Sequence, residues 1–252
     1  KILNPVLGTG PTSDLDTFDT NGNNVQISTP FSGVGGIIKA GSGCLTLVGD
    51  NVYLRPTFIT AGTLQLGNGT LNGQLTNSSL TNNATLVFDQ ATDTVYSQVL
   101  SGSGSVTQAG ATNLTLTGVN TFTGGTTITQ GTLVIGNSQA LQFSTLTYDN
   151  SASTGLVAFG SGITAVTLGG LNVSSSTIQG KAITLQNLDG NAVALTVGNN
   201  NANTAFSGNL SGNGSLIKTG LGSFTLGGNS TNNTYTGGTI INNLGNANGS
   251  II

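Results

Sequence analysis

Leu100 to Gly136 reads LSGSGSVTQAGATNLTLTGVNTFTGGTTITQGTLVIG. Leu114-Thr115-Leu116 turns two leucines to one side and a threonine to the other, the period of two that a half-buried strand requires. Thr127-Ile128 and Leu133-Val134-Ile135 repeat the alternation after a glycine turn. Gly118, Gly124, Gly125, Gly131 and Gly136 separate these pieces and are read as corners where positive φ would strain any other residue. Asn120 and Asn137 suit the same corners. No sustained i, i+3, i+4 apolar face survives the glycines, which argues against helix. The stretch reads as a series of very short strands.

Working outward, Leu100 to Asn120 aligns with FSGVGGIIKAGSGCLTLVGDN at Phe31 to Asn51 and with LSGNGSLIKTGLGSFTLGGNS at Leu210 to Ser230. The first and second copies share 10 of 21 positions and the second and third share 9 of 21, mainly glycines and alternating leucine and threonine. Downstream, Thr121 to Gly136 parallels YLRPTFITAGTLQLG (Tyr53 to Gly67) and, after a three-residue insertion, TYTGGTIIN (Thr234 to Asn242). The copies start 69 and 110 residues apart, so the modules recur without forming a uniform tandem array. Ala140 to Ala205 departs from the module but keeps its alternation and its turns, with no linker.

Short strands at glycine corners that recur this way predict an all-β solenoid, a parallel β-helix. In it each coil of roughly 18–25 residues buries its apolar side only against neighbouring coils. Ten to thirteen coils at about 4.8 Å each make a rod roughly 50–60 Å long. Leucine, valine and isoleucine are expected inside, with threonine and asparagine ladders outside. The chain is read as one domain over residues 1–252, with residues 1–30 a cap or assembly segment. It begins at Lys1 with no signal peptide and is read as a processed or excised piece that stops at Ile252 partway through a coil.

Composition narrows the chemistry. Charged residues are 5% of the chain, all eight acids are aspartate, and histidine, methionine and tryptophan are absent. Without histidine there is no Ser-His-Asp triad and no ordinary zinc or haem site. The five cations Lys1, Lys39, Arg55, Lys181 and Lys218 are scattered, so nucleic-acid binding is not expected. Cys44 has no partner for a disulfide, and its alignment with Asn113 and Ser223 argues against a nucleophile. No apolar run approaches the roughly 20 residues of a membrane-spanning helix.

The motifs place the chain beside a known family. LTLTGVNTFTGGTTITQGTLVIG, and the path from Val193 to Asn242, resemble the passenger-associated β-strand repeat of bacterial autotransporters. The resemblance rests on lysine-threonine-glycine before a leucine/threonine strand, then asparagine-threonine-aromatic-threonine-glycine-glycine-threonine. The clear match covers roughly half the chain. It implies a right-handed β-helix on the outside of a Gram-negative cell that assists passenger secretion and folding. Tyr53-Leu54-Arg55-Pro56 departs from the family's corner, and the family's outer-membrane barrel is not in this sequence.

The functional expectation is a non-catalytic extracellular structural or adhesive solenoid, a passenger fragment of a bacterial surface protein. The alternative is a subunit of a self-assembling extracellular filament, since unpaired strands at solenoid ends invite another copy. A carbohydrate-active β-helix enzyme is the distant third, with Asp89 and Asp93 as its paired carboxylates. Expected partners are copies of the chain end to end, or a host receptor or glycan. No membrane insertion, catalytic residue, cofactor or metal is assigned. Asp14, Asp16, Asp19 and Asn21 cluster, but their spacing is not that of an EF-hand, so a solvated loop is preferred over a calcium site. The sequons at Asn77, Asn83, Asn113 and Asn209 follow from composition. Phe122 and Tyr235, at equivalent repeat positions, are read as corner or stacking residues.

Overall fold

The computed structural model describes residues 6–7, 15–76, 79–148, 154–173, 181–227 and 233–242. Every regular element among them is a β-strand. Short strands turn at corners and return one rung higher, so contacts between rungs recur at a separation of 20 residues. One sheet runs the length of the molecule as eleven strands in chain order, from Val25–Ile27 to Thr239–Ile241. Five strands from Leu15–Asp19 to Leu100–Ser101 line a second side, and four from Thr94–Tyr96 to Leu156–Phe159 a third. A single rung supplies all three: Leu80–Asn82, Thr85–Phe88 and Thr94–Tyr96. Among the described residues the named strands pair in parallel, and an isolated antiparallel bridge joins Gln186 to Ala192. The fold is a β-solenoid of about 10 turns, as the repeat predicted.

The alternation sorts side chains as expected. In the long sheet Leu45, Leu64, Leu86 and Val106 stand in register as one buried column. Ile27, Leu47, Leu66 and Phe88 make a second. Each such side chain contributes about 1.5–3 kcal/mol by leaving water. The outward column between them is polar but for one residue: Gln26, Thr46, Gln65, Val87, Thr107 and Thr127. The apolar cluster is continuous from Ile27 to Phe224.

Three features differ from the reading of the sequence. Of the five glycines assigned to positive φ, only Gly131 has it, at 63°, and neither Asn120 nor Asn137 does. Gly124 is required for closeness instead: a Cβ there would stand 2.1 Å from the carbonyl oxygen of Gly104 on the rung below. The strands are also not short throughout. Leu141–Tyr148 and Ala165–Val173 run 8 and 9 residues, with an irregularity between Leu141 and Thr145 where the pairing register shifts. Only Ala165–Leu168 then continues to the next strand, Ala194–Val197.

The third difference concerns the modules. In the first, Gly36–Ala40 lies in the five-stranded sheet and Cys44–Leu47 in the eleven-stranded sheet. In the second, the aligned strands Ser105–Gln108 and Asn113–Leu116 lie in the eleven- and four-stranded sheets. The 69-residue offset is three rungs plus one side, so the same sequence folds the next corner around the rod.

Candidate functional site

The module's corner is built around a buried polar side chain. Lys39, Gln108 and Lys218 hold equivalent positions, each no more than 1% exposed. Gln108 stands in the inner column between Phe88 and Ile128. The Lys39 ammonium donates to the carbonyls of Ala40 and Gly41, both at 2.7 Å, and of Ala61 one rung on, at 3.0 Å. Gln108 Nε2 donates to the carbonyls of Gly110 and Thr112. The Lys218 ammonium donates to those of Thr219 and Gly220. A tight turn aims its carbonyls inward, and these donors satisfy groups that burial would otherwise leave unpaired. Burial holds the Lys39 ammonium below the usual lysine range, opposed by Cys44 and Asp19 nearby. Burial does the same to Lys218. The sequence reading missed this role by treating the lysines as scattered charges. The aligned Lys-Ala-Gly, Gln-Ala-Gly and Lys-Thr-Gly triplets were the available signal.

Asparagines join the rungs. The side-chain carbonyls of Asn51, Asn120 and Asn233 accept the backbone N–H of Phe31, Leu100 and Leu210. The amides of Asn51 and Asn120 donate onward to the carbonyls of Gln74 and Ala140. A second series places Asn24, Asp93 and Asn203 under the backbone N–H of Cys44, Asn113 and Ser223, each 20 residues on.

That series decides the reading of Asp93. Its carboxylate accepts from both the backbone and the side-chain nitrogen of Asn113, a post that asparagine fills elsewhere. Asp89 follows the strand Thr85–Phe88, beside Gly69, and accepts from Gln65 Nε2 at 3.3 Å; partial burial raises its pKa. The nearby cleft is lined by neither acid. Both acids lie at the corner between the strands Thr85–Phe88 and Thr94–Tyr96.

Asp16 and Asp19 point to opposite faces of the strand Leu15–Asp19, and Asp19 caps the backbone N–H of Asn21. They do not form one carboxylate cluster; Asp14 lies outside the described residues. Asn77 also lies outside them, while Asn83 and Asn113 are engaged with neighbouring rungs. Asn209 Oδ1 is buried without a partner. Cys44 is partly buried, with its sulfur 3.7 Å from the Thr46 hydroxyl. Phe122 is buried in the core and Tyr235 packs against it, with its hydroxyl bonded to Thr239, as stacking residues should. Tyr53 takes the same place beside Thr57, so the departure at Tyr53 to Pro56 keeps the corner aromatic.

The third side is interrupted. Among the described residues, Gly73–Leu75 pairs only with Gly49–Asn51, and Thr94–Tyr96 only with Asn113–Leu116. A cleft of about 200 Å³ opens between these rungs, with no charged side chain in its lining.

Comparison with known proteins agrees with this geometry. The passenger-associated-transport-repeat model matches residues 37–66, 106–135 and 216–243, the three modules described above. The chain thus carries the passenger-associated transport repeat three times on a β-solenoid, the repeat its motifs resemble. A relative, the adhesin BmaC autotransporter of Brucella suis biovar 1 (strain 1330), is 35% identical over 153 residues. The match covers 51% of this chain and 4% of that much longer protein. No solved structure matches. Among the described residues no helix is long and apolar enough to cross a membrane.

Proposed function

We propose that this chain is a length of adhesive passenger, exposed outside a Gram-negative cell, that presents binding surface along a self-supporting rod. The observation that carries this reading is the threefold match to the passenger repeat, each copy folded at a corner of the same solenoid. An adhesin relative supports the adhesive role. Along its long sheet the rod turns mostly hydroxyls and amides outward, with single apolar side chains such as Val95 and Leu156 exposed elsewhere, a surface suited to contact. Its partners are a receptor or glycan met through its sides. Antibody to the purified chain should stain intact, unpermeabilised cells of the source bacterium, and beads coated with the chain should adhere to epithelial layers above albumin-coated beads. Absence of staining would overturn the surface location, and absence of adhesion the adhesive role.

A further inference from the structure

We propose that the cleft between Gly73–Leu75 and Thr94–Tyr96 binds a neutral sugar residue of a glycan. This deepens the adhesive reading above by naming the class of ligand and its place on the rod.

Charge selects the ligand first. Without a cation in the lining the cleft has nothing for a phosphate, sulfate or carboxylate, and without a carboxylate nothing for a cationic group. What it holds is side-chain amides and hydroxyls: Gln74, Thr76, Gln90, Thr94, Ser97 and Gln98. An amide offers a donor and an acceptor side by side, which fits adjacent hydroxyls on a sugar ring.

The exposed strand edge, which would otherwise invite a peptide, is partly occupied. Gln90 accepts from the N–H of Gly73 and donates to its carbonyl, at 3.0 and 2.8 Å. Asn51 takes the carbonyl of Gln74, and Gln98 Nε2 takes that of Thr76. An extended peptide docking by backbone pairing finds these groups spent. A ligand carrying its own hydroxyls finds the Gln74 amide, the Ser97 hydroxyl and Gln98 Oε1 still free.

One further residue fits the same occupant. Val95 is 62% exposed at the rim and offers an apolar surface to the C–H face of a ring. Tyr96 lines the cleft with its side chain turned into the core, its ring set edge-on to Phe88, and so gives the cleft a firm floor. A concave site in which a few polar groups fix a ligand's orientation is a common feature of small-ligand recognition.

The test is saturation-transfer NMR and calorimetry on the 252-residue chain with methyl glycosides of glucose, galactose, mannose and N-acetylglucosamine. At least one should bind with a Kd of about 1 mM, as single-ring ligands with few contacts do. Gln74→Ala, Ser97→Ala and Val95→Asp should each weaken it about tenfold or more while the thermal melt stays unchanged. Absence of binding by every glycoside, or binding that survives all three variants, overturns the proposal. Adhesion of coated beads separates the two readings. Full adhesion by Gln74→Ala beads removes the cleft from adhesion and leaves the adhesive role standing. Failure of the unmodified beads removes that role, while the glycoside titration still decides the cleft.

Discussion

Lys39 and Lys218 solve one problem at two distant turns: each buried ammonium bonds the carbonyls of the two residues that follow it. Burial holds both below the ordinary lysine value. The unfolded chain therefore binds more protons than the folded one between the folded and ordinary values, and these two groups make stability rise with pH across that window. Thermal melts on the alkaline side, up to the ordinary lysine value of about 10.4, should show this rise, and K39Q/K218Q should flatten it. Glutamine already holds the turn at Gln108, so K39Q should cost less than about 1 kcal/mol. K39M, which strands three carbonyls, should cost about 1–3 kcal/mol.

Leu116 and Thr115 are neighbours on opposite faces of one strand. Leu116→Asp buries an unpaired carboxylate and should cost about 4 kcal/mol or abolish folding. Thr115→Asp, turned outward, should stay within about 1 kcal/mol. Melting both variants side by side tests the assignment of inside and outside; equal losses would refute it.

Asn120 joins two buried backbone groups, the N–H of Leu100 and the carbonyl of Ala140. Asn120→Leu should leave both unpaired and cost about 2–5 kcal/mol, read as a lower denaturant midpoint at constant slope.

Asp93 bridges to Asn113 where Asn24 and Asn203 bridge to their own partners. Asp93→Asn should therefore be nearly silent, within about 0.5 kcal/mol, while Asp93→Ala should cost about 1 kcal/mol by thermal melt. A large loss in Asp93→Asn alone would show that the charge itself matters.

The strands, their inner and outer faces and the solenoid were legible because a period of two and a recurring glycine frame are local signals. Leu116, Ile128 and Phe122 fell where their spacing put them. What was hidden depends on the rung below. Gly124 looked like a turn residue, yet its requirement comes from the carbonyl of Gly104, which only stacking brings near. Lys39 read as one of several scattered cations, since its own strand does not show that the next turn's carbonyls point inward. The cleft at Tyr96 was invisible because it arises from a pairing that does not form.

The second module begins one side further round the rod than the first, while the third begins on the same long sheet as the second. The spacing between copies therefore sets the compass direction in which each one looks outward. A copy placed 69 residues on turns to the next flank, and one placed 110 residues on extends a stripe already begun. Spacing alone chooses between wrapping related surface around the rod and aligning it along one flank.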